Sequence, residues 1–164
     1  MRKQLWKLPC ATDLIASNLS VSGLFFLECF AGQAMITVGL LMMNVPCLRP
    51  LDSKFGDQFD VLSNGHILLS LIHAQRIISA HFATPCQSKR HGQGCHSSGV
   101  SRDLQVCLAY SEKQQFLVDI GNQLLAFTIS CCVGLHALGS FFCMENPELS
   151  WLWLQGDSLM LSDL

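Results

Sequence analysis

Residues 124–144 (LLAFTISCCVGLHALGSFFCM) contain no Asp, Glu, Lys or Arg. About 20 apolar helical residues cross the hydrocarbon core of a bilayer, so this run could be a membrane span, and residues 29–48 are similarly uncharged. A buried helix followed by a buried strand would give the same pattern. Gly134 and Gly139 favour helix, turn and strand, because Gly lowers helix stability by about 1 kcal/mol relative to Ala. No basic residue flanks the run, as one usually does beside a span.

The composition describes one apolar, nearly neutral domain. The chain has 164 residues, 50% of them hydrophobic and 13% charged, with a net charge of −2. This charge excludes a general basic surface for nucleic acid, so any polynucleotide contact must use a local patch, of which Lys89, Arg90, His91 and Arg102 are the best candidate. Nine cysteines are an odd number, and several lie in apolar runs, which favours free thiols. No signal peptide is visible in MRKQLWKLPC, so we predict an intracellular protein, nuclear if eukaryotic.

Short apolar segments alternate with helical patterns along the chain. The predicted strands are SGLFFLECF, VPCLRPLD, FDVL, RIISAHFA and LGSFFCM, and the predicted helices are QAMITVGLLMMN, HILLSLIHAQ and residues 104–136. This order predicts an α/β fold with a doubly wound, mostly parallel sheet. We divide the chain into a weakly ordered N-terminal segment (1–22), a central domain (23–155) and a tail (156–164).

Four polar loops follow predicted strands of this sheet. They are AGQA after the first strand, Asp52 after the second, PCQ at residues 85–87, and ENP from Glu145. In doubly wound sheets the ligand site lies outside the carboxyl ends of the strands, so these loops are expected to open on one edge. Cys86, which follows Pro85, is either a small apolar residue at a strand end or a nucleophile. The shared edge favours the nucleophile.

Three motifs, FLECFAGQA, ATPCQS and CMENP, occur in this order and resemble those of the cytosine-5 DNA methyltransferases. In that family a strand ending in Phe-x-Gly begins the cofactor loop, Pro-Cys-Gln carries the nucleophile, and Glu-Asn carries an acid. The resemblance covers roughly residues 24–153. The matching residues are Phe30, Gly32, Pro85, Cys86, Gln87, Glu145 and Asn146.

The resemblance implies a Rossmann-like fold, S-adenosyl-L-methionine as cofactor and DNA as partner. The implied cofactor residues are Phe30, Ala31, Gly32 and Gln33, with Asp52 at the ribose and Asp60 beside the adenine. The Cys86 thiolate would add to carbon 6 of a flipped-out cytosine, which makes carbon 5 nucleophilic. Glu145 would stabilise the ring protonated at nitrogen 3. Arg102 loosely resembles the basic residue in the loop behind the nucleophile.

The chain also departs from the family pattern. AGQA lacks the usual second and third glycines, ENP replaces ENV, and the target-recognition region and later basic motif are missing. We therefore expect an incomplete methyltransferase-type sheet. The alternatives are a non-catalytic Rossmann-like relic or interaction module, and a small membrane protein with two apolar spans.

A metal site is the remaining alternative for the loop after Cys86. Cys86, His91, Cys95 and His96 all lie within eleven residues. Zinc sites usually combine a close pair of ligands with a distant second pair, so this spacing strains tetrahedral geometry. We predict no metal and no membrane partner, and the sequence leaves the oligomeric state open.

Overall fold

The computed structural model describes residues 5–16, 23–85 and 112–145. Its helices and strands alternate along the chain. In order they are α1 (Ala11–Ala16), β1 (Phe25–Cys29), α2 (Met35–Met42), α3 (Val61–His73), β2 (Ile77–Phe82), α4 (Glu112–Ala137) and β3 (Phe141–Met144). Two short 3-10 turns, Ser53–Phe55 and Asp57–Phe59, precede α3.

The three strands form one parallel sheet in the order β1-β2-β3. On the free side of β1, residues 46–51 run parallel to it and make two isolated bridges, Phe26 to Cys47 and Cys29 to Leu51. The chain therefore leaves β1 toward one side of the sheet and later crosses to the other side to form β2. This mixed α/β architecture with a parallel sheet confirms the predicted fold class at that level and is compatible with a Rossmann-like fold.

The reversal of direction creates a switch point between β1 and β2. In open α/β sheets the crevice at the carboxyl ends of the strands on either side of such a point is the usual ligand site. Every residue of β1 is buried, as expected for a central strand covered on both faces. The fold therefore predicts that a ligand site, if present, lies at the loops that follow Cys29 and Phe82.

The main core lies where α3 and α4 pack on one face of the sheet. Leu27 and Cys29 of β1 share this core with Leu68 of α3 and with Cys131 and Leu135 of α4, all fully or almost fully buried. A smaller cluster on the α2 side contains Leu5, Ala31 and Ala34. Leu5 and two residues at the start of α1 that join the main core, Cys10 just before the helix and Ala11 within it, belong to the segment predicted to be weakly ordered.

The predicted strand at FDVL is wrong. Phe59 closes a 3-10 turn, and α3 begins at Val61, earlier than the helix predicted over HILLSLIHAQ. The reason is a helix cap: the Asp60 carboxylate accepts hydrogen bonds from the main-chain N–H and the hydroxyl of Ser63, at 3.2 and 2.8 Å. An Asp at the N-cap satisfies a donor that the first turn leaves unpaired.

The uncharged run of residues 124–144 forms a helix, a turn and a strand, which confirms the prediction that it is not one continuous span. Helix α4 ends at Ala137, Gly139 turns the chain with φ of 71°, and β3 follows. The helix runs through Gly134 without a break, so only the second glycine ends it. Among the described residues, one helical segment, Gln115–Ala137, is long and apolar enough to cross a membrane by length and composition.

Candidate functional site

Four segments reach the carboxyl edge of the sheet, and the strand pairing continues into them. The Phe30 N–H donates to the Leu51 carbonyl at 2.7 Å, and the Ala83 N–H donates to the Cys29 carbonyl at 3.2 Å. The Glu145 N–H donates to the Phe82 carbonyl at 2.8 Å. The ends of residues 46–51, β1, β2 and β3 are thus held side by side.

The loop after β1 has an unusual backbone. Phe30, Gly32 and Ala34 have φ of 59°, 53° and 54°, so three residues out of five lie in the left-handed region. Non-glycine residues adopt this region rarely, and each one costs free energy that the surrounding structure must supply. Nothing lies within 4 Å of a Cβ built on Gly32, so glycine is favoured at this position by the positive φ and not by a lack of space. Phe-x-Gly therefore sets a tight, strained turn between β1 and α2.

Asp52 joins this loop to the loop after residues 46–51. Its Oδ2 accepts a hydrogen bond from the Gly32 N–H at 2.8 Å, and its Oδ1 accepts one from the Lys54 N–H at 2.9 Å. The side chain is buried, and an ionised carboxylate accepts up to about four hydrogen bonds. Asp52 therefore shapes the loop and retains acceptor capacity for a ligand hydroxyl.

Glu28 is a polar residue of this site that sequence reasoning missed. It is 4% exposed in the middle of β1, and its Oε2 accepts hydrogen bonds from the N–H and the hydroxyl of Thr37, at 2.7 and 2.6 Å. Ala34, the residue at the N-cap of α2, provides no side-chain acceptor, so Glu28 caps this helix from the sheet. The available signal was a single acid inside an otherwise apolar strand, because a buried charge needs a dedicated partner.

Asp60 has a local role in the described structure. Its carboxylate caps α3 through Ser63, and no hydrogen bond among the described residues links it to the Phe-x-Gly loop. The family resemblance implies that Asp60 lies beside the adenine of the cofactor. The capping contacts do not test that role, which stays a prediction.

The end of β2 is anchored to α4 by a hydrogen bond between two buried threonines. The hydroxyl oxygens of Thr84 and Thr128 lie 2.9 Å apart, and both residues are buried. Since the Thr128 hydroxyl donates to the Leu124 carbonyl, its single proton is used and Thr84 must be the donor to Thr128. This bond fixes the backbone next to Pro85. The predicted catalytic residues Cys86, Gln87, Arg102 and Asn146 lie outside the described residues.

Glu145 stands at the end of β3 beside a buried histidine. Its Oε2 lies 3.7 Å from the Nε2 of His81, and its side chain is 72% exposed. The resemblance leads one to expect a carboxyl group in a dry pocket, whereas here water reaches it freely. His81 is buried, and its Nδ1 has no hydrogen-bond partner among the described residues.

A cavity of about 360 Å³ adjoins the Phe-x-Gly loop. Gly32 and Gln33 line one side of it, and Trp6, Arg49, Lys54 and Phe55 line the rest. Two of the predicted cofactor residues therefore face the same cavity. In the described part of the chain no group of three or more His, Cys, Asp or Glu residues could hold a metal ion.

No protein-family model, no curated protein and no solved structure matches this chain. The case for a function therefore depends on the motifs and on the geometry of the described residues.

Proposed function

We propose that this chain binds S-adenosyl-L-methionine and transfers its methyl group to carbon 5 of cytosine in DNA. One observation carries the proposal: the three motif-bearing segments follow three adjacent parallel strands. The Phe-x-Gly loop follows β1, Pro85 follows β2, and Glu145 follows β3, with the Glu145 N–H bonded to the Phe82 carbonyl. Adjacent parallel strands end at the same edge, so residues carried on these loops can act on one ligand.

The electrostatics of the β1 loop suit a cationic nucleoside better than a phosphate. The Gly32 N–H is already bonded to Asp52 and the Thr37 N–H to Glu28, so neither amide is free for a phosphate oxygen. Two carboxylates at the start of α2 favour positive charge nearby. The sulfonium of S-adenosylmethionine carries that charge, and the cofactor when bound supplies an electrophilic methyl group.

The residues of the chain would divide the chemistry between two strand ends. The Cys86 thiolate would form a bond to carbon 6 of cytosine and displace the electron pair of the 5,6 double bond onto carbon 5. That pair would bond to the methyl group as its bond to sulfur breaks, which leaves S-adenosylhomocysteine. Loss of the proton from carbon 5 would then expel the thiolate and restore the ring. Glu145 would hold a proton at nitrogen 3 while charge develops there. Because Glu145 is exposed, the bound base itself would have to exclude water from it.

Incorporation of labelled methyl groups into a cytosine-containing duplex tests the proposal. We expect incorporation by the wild-type chain and loss of at least about a thousandfold in Cys86→Ala, since removal of a nucleophile usually costs that much. Cys143→Ala is the matched control, because Cys143 is an exposed thiol on β3. Absence of incorporation by the wild type, or equal rates for Cys86→Ala and Cys143→Ala, contradicts the proposal.

A non-catalytic interaction module is the second candidate, and the exposure of β3 favours it. Phe141 is 73% exposed, and residues 141–144 alternate between exposed and half-buried. Within the described residues β3 is the last strand of the sheet, and an apolar edge strand is a typical place for another chain to pair. Calorimetry with S-adenosylhomocysteine separates the candidates: micromolar binding supports the methyltransferase, and absence of binding supports the module.

The third candidate, a membrane protein, depends on segment Gln115–Ala137 of α4. In the described structure this helix packs on α3 and β3, and Cys131, Cys132 and Leu135 are completely buried. Those contacts favour a core helix over a lipid-facing one. Carbonate-resistant association of the expressed protein with membranes would support the membrane candidate and contradict the methyltransferase.

A further inference from the structure

The cavity beside the Phe-x-Gly loop has an uneven distribution of charge. Its walls include the aromatic rings of Trp6 and Phe55, and its two charged lining residues, Arg49 and Lys54, are both basic. Among the described residues neither of them forms an ion pair and no acidic residue lines the cavity, although the Asp52 carboxylate bonds to the main-chain N–H groups of Gly32 and Lys54. Its volume of about 360 Å³ lies in the range of small-molecule sites. The cavity therefore combines a nonpolar wall with two basic side chains that form no ion pair among the described residues.

Arg49 is held in a fixed position. Its Nη2 donates to the Trp6 carbonyl at 2.6 Å and to the Leu8 carbonyl at 3.1 Å. Its guanidinium carbon lies 5.4 Å from the Trp6 ring centre and 5.5 Å from that of Phe59, which are cation–π distances. Its Nη1 makes no hydrogen bond among the described residues and, unlike the Nε, is not buried, so Nη1 is the donor left for a ligand. A preorganised guanidinium with unused donor capacity is a strong binder of carboxylate or phosphate.

Trp6 supplies a surface for a flat ring. Its side chain is 51% exposed, although its ring packs edge-on against Phe55 and Phe59, with centres 6.3 and 6.0 Å apart. The aromatic neighbours and Arg49 therefore fix the ring while half of it stays open. Such a ring is a suitable stacking surface for a nucleobase.

We propose that this cavity binds an adenine nucleoside that carries an anionic group, with the ring against Trp6 and the anion toward Arg49 and Lys54. The anion is either the carboxylate of an S-adenosyl amino acid or the phosphate of an adenine nucleotide. The inference rests on the proposed function for the identity of the nucleoside. Since Gly32 and Gln33 line the same cavity, the site extends the cofactor loop and gives it a recognition element that the motifs do not contain.

Calorimetry on the full chain tests the inference with three probes: S-adenosylhomocysteine, ADP and uncharged adenosine. Lys54→Gln is the decisive variant, because the Lys54 side chain is exposed and only its main chain bonds to Asp52. We expect it to weaken binding of an anionic probe by about tenfold, the value of one lost charge-assisted contact, and to leave adenosine within twofold. Arg49→Gln should act in the same direction and Trp6→Ala should weaken all probes. Lys113→Gln, at an exposed position of α4, is the matched control and should leave the binding of every probe unchanged.

The outcomes separate the cavity from the methyl transfer. Equal binding of both anionic probes by Lys54→Gln and wild type overturns the inference, and so does a lack of binding by every probe. If S-adenosylhomocysteine binds independently of Lys54 and Arg49 but requires Asp52, the inference fails and the proposed function stands. If ADP binds in a Lys54-dependent manner and S-adenosylhomocysteine does not bind, the inference stands and the proposed methyl donor fails.

Discussion

The Asp52 carboxylate accepts a hydrogen bond from the Gly32 N–H at 2.8 Å, although twenty residues separate the two in sequence. With its second oxygen on the Lys54 N–H, this one buried side chain ties together the loops that follow β1 and residues 46–51. In the sequence, this spacing of twenty residues led to the prediction of an acid near a ribose. The structure adds that the same acid holds the Phe-x-Gly turn in its conformation.

Asp52→Asn should lower the free energy of unfolding by about 1–3 kcal/mol. In the wild type both carboxylate oxygens accept from main-chain N–H groups, whereas the asparagine would turn an NH2 donor toward one of these N–H groups. Urea denaturation measures the change. Asp57→Asn is the control, since Asp57 is exposed and its side chain makes no hydrogen bond among the described residues; its effect should stay within about 0.5 kcal/mol. Equal midpoints for the two variants would show that the Gly32 contact contributes nothing.

Gly65→Ala should destabilise the protein, whereas Gly39→Ala should stabilise it. Both glycines lie inside helices, where Ala is normally favoured by about 1 kcal/mol. A Cβ on Gly65 would lie 2.6 Å from Cε2 of Phe127, while nothing lies within 4 Å of one on Gly39. We expect a loss of about 1–3 kcal/mol for Gly65→Ala from overpacking between α3 and α4. Thermal unfolding checks both signs, and the double variant Gly65→Ala/Phe127→Leu should recover stability.

Stability should fall as the pH rises above about 9. The pKa of the Cys132 thiol is raised to about 12, mainly by burial and to a smaller extent by the neighbouring Cys143. Burial also raises the pKa values of Cys29 and Cys131. Above the ordinary thiol pKa the unfolded chain loses protons that the folded chain retains, so the free energy of unfolding decreases by up to about 1.4 kcal/mol per pH unit for each thiol.

Urea titrations between pH 8 and 11 measure this slope. In Cys132→Ala one of the buried thiols is missing, so its slope should be shallower than that of the wild type. Indistinguishable slopes would contradict the assignment of the pH dependence to Cys132.

Thr128→Val should weaken the anchor between α4 and the end of β2. The buried Thr84 hydroxyl would lose its acceptor, which costs about 1–3 kcal/mol of unfolding free energy. The doubly substituted Thr84→Val/Thr128→Val should be more stable than Thr128→Val, because no buried hydroxyl then lacks a partner. If methyl transfer is observed, its rate should fall in Thr128→Val while binding of S-adenosylhomocysteine is unchanged. Ser130→Ala, at an exposed position of α4, is the control.

The elements with the strongest patterns were predictable. Apolar runs around Leu27 and Ala80 gave β1 and β2, and the uncharged run gave α4 and β3 with the turn at Gly139. The strand at FDVL was wrong, because the short apolar pattern of Phe59, Val61 and Leu62 fits a strand or a helix equally well and the Asp60 cap decides for the helix.

The site was predictable only where a motif marks it. The Phe-x-Gly turn and the acid at Asp52 come together as expected of loops at one sheet edge. Glu28 was missed because its role depends on Thr37, which only the packing of α2 brings within 2.7 Å. Trp6 and Arg49 were missed for the same reason: nothing in the local sequence shows that the N-terminal segment covers residues 49–55.

The parallel sheet also sets the order in which this chain can acquire structure. Phe25 pairs with Ile77, and Ser79 pairs with Phe141, so each pairing must close a long loop before it yields any contact. On a ribosome, β1, α2 and residues 46–51 can assemble early, with Glu28 and Asp52 already engaged by Thr37 and Gly32. The Phe-x-Gly loop would then exist before the strand that precedes Glu145 has been synthesised, and nascent chains that end before residue 141 would expose the apolar flank of β2.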